Sequence, residues 1–187
     1  MVKSGVPQGL RHCQLSYGVV FMASTQVEEN SNKIYLIEPI VNLRPRFDPP
    51  LSNDYFGNIW RPASAIMTMD KEYCGVVDKI REAISNVNGD YVAKLQQGNA
   101  AKTDIKDEQQ LVRILFTSLC RFPIYEVDFG WGWPIWVASA NFGMKNKVAF
   151  FDSQSGNGIE AWITLKKEDM AKFEADMELH AFLSSTL

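Results

Sequence analysis

The sequence predicts an α/β fold: a mixed β-sheet flanked by helices. Three observations carry this. The run Ile34–Val41 is rich in Ile, Val and Tyr and has the continuous apolar character of a strand buried on both faces. Tyr73, Val76, Val77, Ile80 and Ile84 follow i, i+3, i+4, i+7 spacing and make one apolar helical stripe. Several strand-like runs and two or three helical segments share one chain of 187 residues, the pattern of layered α/β packing. That length fits one domain over residues 1–187 with a real core, residues 1–14 being poorly defined.

Taken in order, Leu10–Thr25 reads as a weak helix, held back by Gly18 and its β-branched residues. Glu28–Lys33 is polar and reads as a loop. The first strand, Ile34–Val41, delivers Asn42, Arg44 and Arg46 at its end, and Asp48-Pro49-Pro50 prevents any continuation because proline lacks the ladder donor. Asn58–Met69 reads as short strand and loop. Asp70 is placed to cap the helix that carries the Tyr73–Ile84 stripe, with Lys71, Asp78, Lys79, Arg81 and Glu82 on its wet face. Asn88-Gly89 interrupts that helix, which resumes over Tyr91–Leu95. Gln97–Asp107 is polar and loop-like. Val112–Phe116, Ile124–Val127, Ile135–Ala140, Lys147–Asp152 and Ile159–Leu165 read as strands, with turn chemistry at Ser153–Gly158. Lys167–Met177 reads as a closing helix whose buried face holds Met170, Phe173 and Met177. There is no internal repeat.

Composition excludes several functions. Nineteen Lys and Arg against twenty-two Asp and Glu leave a net charge of −3, with no general basic field for nucleic acid. Cys13, Cys74 and Cys120 are odd in number and lack CxxC spacing, so neither a disulfide framework nor a zinc or other metal site is expected; reduced thiols in a cytoplasmic protein fit better. No apolar run reaches the roughly 20 residues of a membrane helix. Lys145, Lys147, Lys166 and Lys167 form the one local basic cluster, which reads as a solvated face before it reads as a phosphate site.

The chain's most unusual stretch is Tyr125-Glu126-Val127-Asp128-Phe129-Gly130-Trp131-Gly132-Trp133-Pro134. Large rings alternate with permissive glycines, and Pro134 ends any regular ladder. The expectation is a turn that buries its rings. A carboxylate buried there needs a strong partner, so Asp128 requires either an arginine or several backbone N–H groups.

Asp128-Phe129-Gly130-Trp131-Gly132 matches the DFGWG signature of the BAHD acyltransferases, plant enzymes that move acyl groups from coenzyme A thioesters to alcohols or amines. The approach Ser118–Val127 and the segment Asn42–Leu51 followed by Tyr55-Phe56-Gly57-Asn58 also resemble that family, and Gly156–Leu165 looks like its vinorine synthase-like branch. The resemblance runs in order from about Leu15 to Leu183.

It implies a fold like the C-terminal domain of a two-domain, coenzyme A-dependent acyltransferase. Acyl-CoA would be the co-substrate, with acetyl the expected acyl group and no metal. The other partners would be a small-molecule alcohol, a plant specialised metabolite, and the enzyme's N-terminal half. It also implies structural roles for Phe129, Gly130, Trp131 and Gly132, and a salt bridge from Asp128 to Arg44, with Arg46 in reserve. Trp133 falls where the family places a residue at the mouth of the acceptor pocket; a ring with no substrate role is the equal alternative.

The family's base is the histidine of an HxxxD motif, which takes the acceptor's hydroxyl proton. Here the histidines are His12, with Ser16 where the aspartate belongs, and His180, with Ser184 there. Both read as polar surface residues, so no catalytic residue is assigned to this chain. The competing expectation is a truncated, non-catalytic binding module.

Overall fold

A computed structural model describes residues 33–67, 73–99, 111–138, 144–156, 158–177 and 179–181 of the chain. Its centre is a mixed sheet of six strands: β1 (Ile34–Asn42), β2 (Trp60–Pro62), β3 (Ala65–Met67), β4 (Leu111–Ser118), β5 (Lys147–Asp152) and β6 (Ile159–Thr164). The order is β2-β1-β4-β5-β6, with β3 also on β1. β1, β4 and β5 run parallel, whereas β2 and β3 pair antiparallel to β1, and β6 antiparallel to β5. Among the described residues the helices with defined bounds are α1 (Tyr73–Asn86), α2 (Gly89–Gln96) and α3 (Lys167–Glu174).

The register sets the core. Ile37 sits opposite Ile114, Pro39 opposite Phe116, Phe116 opposite Val148, and Val148 opposite Ile163, so these side chains share one face. The α1 stripe covers that face through Val76 and Ile80, both fully buried; Ala83 of α1, Val87 between the helices and Val92 of α2 extend the same cluster. Phe116 and Phe150 stack with ring centroids 6.2 Å apart and planes 6° from parallel. A second, smaller cluster joins Phe173 and Leu179 to Ile163, Leu165 and Met170.

β1 is buried along most of its length, as its apolar run requires. Asn88 begins α2 as an N-cap: its Oδ1 accepts the Tyr91 N–H at 3.0 Å. Replacing this cap, Asn88→Ala, should lower stability by about 1 kcal/mol. Asn88→Asp should restore most of it, and denaturant midpoints of the two variants check both statements.

Three expectations differ from the structure. Ile124–Val127 is not a strand; Ile124–Glu126 is a 3-10 turn. After Ser118 the chain leaves the sheet through Arg121, at φ 68°, and Pro123 has no N–H for a ladder. Local bonds replace it: Phe122 N–H to Leu119 O and Glu126 N–H to Pro123 O. Residues 135–138 of the expected strand Ile135–Ala140 join no ladder. The closing helix stops at Glu174, and Met177 is exposed. Its last turn tightens through Ala175 N–H to Lys172 O and Asp176 N–H to Phe173 O, and Leu179 fills the buried position instead. The expected Leu10–Thr25 helix, the Asp70 cap and most of the Gln97–Asp107 loop lie outside the described residues. No helix among the described residues is long and apolar enough to cross a membrane.

Candidate functional site: the carboxyl end of the sheet

The parallel strands give the sheet a direction. β1 ends at Asn42, β4 at Ser118 and β5 at Asp152, so the loops that follow them leave from one edge. Open α/β sheets generally place their functional groups at this edge. Both distinctive sequence segments fall here: Asn42–Trp60 after β1, and Leu119–Ala138 after β4.

The second loop is built around Asp128. Its Oδ1 accepts the Gly130 N–H at 2.7 Å and the Gly132 N–H at 3.0 Å. Both glycines sit at φ +100°, a region costly for L side chains, and this turns both N–H groups back onto one oxygen. Open space surrounds each glycine, so an added methyl would be opposed by backbone conformation and not by crowding.

The expected Asp128–Arg44 salt bridge does not form. The backbone alternative holds instead, because Asp128 is exposed and the Gly130 and Gly132 N–H groups outweigh its slight desolvation without a counter-cation. Arg44 has other work. Its Nη2 donates to the Tyr55 carbonyl at 2.6 Å and the Gly57 carbonyl at 2.9 Å, and its Nη1 to Asn42 Oδ1 at 3.4 Å. Its Nε–H is buried with no hydrogen-bond partner. Arg46 donates to the Asn42 carbonyl at 2.6 Å.

The rings are also not buried. Phe129, Trp131, Trp133, Ile135 and Trp136 are all exposed, Trp131 at 84% and Ile135 at 86%. Phe129 and Trp131 touch each other, with centroids 5.8 Å apart. Trp136 stacks on Trp162 of β6 at 5.5 Å, and Trp162 meets Phe151 of β5 at 5.7 Å. Gln154 Nε2 donates to the Pro134 carbonyl at 3.4 Å, tying this loop to the turn between β5 and β6. In the first loop Phe56 is wholly exposed, beside exposed Tyr55 and half-exposed Trp60. Trp133 lines no enclosed site formed by the described residues; it stands in solvent with its neighbours.

The Gly130 and Gly132 N–H groups, the former most strongly, hold the Asp128 carboxyl below its ordinary value of 3.8. An acid with a depressed folded pKa stabilises the fold above its unfolded pKa and ceases to do so as pH falls through the folded one. The loop should therefore stay closed at neutral pH and loosen only below 3.8. Amide exchange at Gly130 and Gly132 should be slow at pH 6 and fast in Asp128→Ala; equal exchange in variant and parent would refute the nest.

One pair was not foreseen from the sequence. Glu38 of β1 is buried and meets Arg113 of β4 at 3.2 Å. Burial pushes its carboxyl above the ordinary value, and Arg113 opposes that shift. The signal lay in a lone acid inside Ile34–Val41 and a lone arginine inside the next apolar run.

His180, beyond the end of α3, is exposed, with its Nε2 2.7 Å from the Glu174 carbonyl. In the sequence Ser184 stands where an HxxxD aspartate would follow it. His12 lies outside the described residues. The four lysines belong to the opposite end: Lys145 and Lys147 at the start of β5, Lys166 and Lys167 beyond the end of β6. No three His, Cys, Asp or Glu side chains among the described residues gather as metal ligands.

A family model described as the Transferase family matches residues 21–180. Limonoid 7-O-acetyltransferase of Citrus sinensis is 35% identical over 199 residues, covering 96% of this chain and 43% of the relative. The crystal structure of vinorine synthase superposes with a TM-score of 0.76 at 27% identity, covering 94% of this chain and 42% of that one. F. graminearum TRI101, solved with coenzyme A and T-2 mycotoxin, shares the fold at a TM-score of 0.69 and 16% identity, covering 89% and 41%. The chain thus spans about two fifths of the length of these proteins.

Proposed function

Because this chain belongs to the Transferase family, the BAHD acyltransferases, we propose that it forms the C-terminal half of an acyl-CoA-dependent O-acyltransferase. The limonoid O-acetyltransferase named above is a plant acetyltransferase of a specialised metabolite, so acetyl transfer to a hydroxyl of such a metabolite is the reaction proposed. Acyl-CoA is the donor in this reading. Coenzyme A is the ligand named for the TRI101 structure, whose fold this chain shares.

The observation that carries the reading is the ordered match across residues 21–180, with Asp128–Gly132 intact and closed as a nest. In this reading the chemistry is direct transfer. A base removes the acceptor's hydroxyl proton, the oxygen attacks the thioester carbonyl, and coenzyme A leaves as a thiol after taking up a proton. The base belongs to the other half, since neither histidine here is followed by the aspartate of HxxxD. This chain supplies one wall of the site, in which Trp133, without charge, suits an apolar acceptor.

The test exchanges this chain for the matching segment of limonoid 7-O-acetyltransferase and follows acetyl transfer from acetyl-CoA to a limonoid alcohol. Turnover above buffer, lost when the HxxxD histidine becomes alanine, is the expected result. A folded chimera without turnover would favour the non-catalytic binding module.

A further inference from the structure

The amino end of the parallel strands, away from the two aromatic loops, gathers cations in a chain whose net charge is −3. Along the sequence Lys145, Lys147, Lys166 and Lys167 are two separate pairs; the strand register joins them. Lys147 of β5 lies opposite Thr164 of β6. Continued two residues past the ladder, that antiparallel register sets Lys145 level with Lys166. Lys147 also lies opposite Leu115 of β4, so Arg113, two residues earlier on that parallel strand, stands at the same level. Lys167 follows as the first residue of α3. Lys145, Lys166 and Lys167 are exposed, and Lys147 is half-buried.

Acids take up part of this charge. Arg113 is committed to Glu38, and Glu168 and Asp169 stand in the first turn of α3, where they complement the helix dipole. Four lysines against those two acids leave this end positive. A chain of net negative charge has no general attraction to an anionic surface, so any such binding must come from a local patch.

The patch also has an apolar tip. Met144, immediately before Lys145, is 54% exposed. The turn that carries it is held in place: Asn146 sits at φ 57°, and its carbonyl accepts the Leu115 N–H at 2.9 Å. An exposed apolar side chain among lysines matches a partner that is anionic at its surface and apolar just beneath. That is the layering of an anionic bilayer, where lysines meet headgroups and an apolar residue enters the acyl boundary. A soluble polyanion would use the lysines and leave Met144 without a role.

We propose that residues 144–147 and 166–167 form a docking surface for an anionic phospholipid membrane, with the lysines on the headgroups and Met144 entering the acyl boundary. The carboxyl edge of the sheet, at the other end of the strands, is left clear of the lipid. The proposal goes beyond the acyltransferase reading and does not depend on it.

Vesicle sedimentation with the full chain tests it. Vesicles of equal parts phosphatidylserine and phosphatidylcholine should bind the chain at low ionic strength, and added salt should release it. Phosphatidylcholine alone should not bind it. Lys145→Gln, Lys166→Gln and Lys167→Gln together should lower the partition coefficient about tenfold or more. Met144→Ser should lower it about threefold. Arg61→Gln, Arg81→Gln and Lys94→Gln together change the net charge equally from β2, α1 and α2, and should partition as the parent does. Circular dichroism should be the same for all these variants, since every replaced residue is exposed. Equal loss in both triple variants makes net charge the cause and overturns the surface. Parent-like partition of Met144→Ser overturns lipid as the occupant. Equal binding to phosphatidylcholine alone, or no binding to either vesicle, overturns the proposal outright.

Discussion

Phe116→Ala should remove a large share of this chain's stability. Phe116 has no exposed surface, lies in the middle strand of the parallel set, and stacks on Phe150 from β5. Its truncation removes the contact between two strands and leaves a cavity in the core. Phe→Ala in a packed core costs about 3–5 kcal/mol, against total stabilities of about 5–15 kcal/mol. An exposed ring such as Phe129 should by contrast change stability by no more than about 0.5 kcal/mol when replaced by alanine. Urea titration followed by far-UV circular dichroism reads both variants. A Phe116→Ala midpoint equal to that of Phe129→Ala would mean the core does not lie where the register puts it.

The second large effect is expected at Glu38 and Arg113, and its sign depends on which partner is removed. Burial raises the Glu38 pKa above its ordinary value, so between the unfolded and folded values the folded state holds a proton that the unfolded state has released. Stability falls as pH rises through that window, and above it the ionised carboxylate is a liability that Arg113 partly offsets. Glu38→Gln removes that liability and keeps an acceptor for Arg113. It should match or exceed parent stability at pH 7 and flatten the pH dependence above about 4.5. Arg113→Ala leaves the buried charge alone and should cost about 1–3 kcal/mol, less than a fully buried pair because the guanidinium faces solvent. The double variant should recover most of that loss. Arg113→Ala as stable as the parent at pH 7, or Glu38→Gln strongly destabilised there, would contradict this account of the pair.

What the sequence made legible follows from how local each signal is. β1 was visible because it is apolar on both faces, and α1 because its stripe repeats at helical spacing. Both depend only on neighbours within a few residues. Ile124–Glu126 was misread because a β-branched residue and a tyrosine look strand-like, whereas Pro123 and the positive φ of Arg121 take the chain off the sheet. Met177 was misread for a related reason: a tightened helix end breaks the spacing that would have buried it. The Glu38–Arg113 contact was not legible because it depends on the parallel register of two distant strands.

At the candidate site the motif residues were found, but their environment was not. The expectation of buried rings drove the expectation of an arginine for Asp128, since a buried carboxylate needs one. Once the loop proves exposed, two glycine N–H groups suffice, and Arg44 is left to hold Tyr55 and Gly57. Exposure is a property of the whole surface, and no local pattern encodes it.

The central claim is that the carboxyl end of the sheet, with its two pinned aromatic loops, is the functional end of half an acyltransferase. Hydrogen exchange tests it most directly, comparing this chain alone with the same chain built into limonoid 7-O-acetyltransferase in place of the matching segment. The account predicts added protection at Tyr55–Trp60 and Phe129–Trp136 in the chimera, with Lys145–Lys147 and Lys166–Lys167 unchanged. Protection that arises only at the lysine end, or at neither end in a folded chimera, would contradict it.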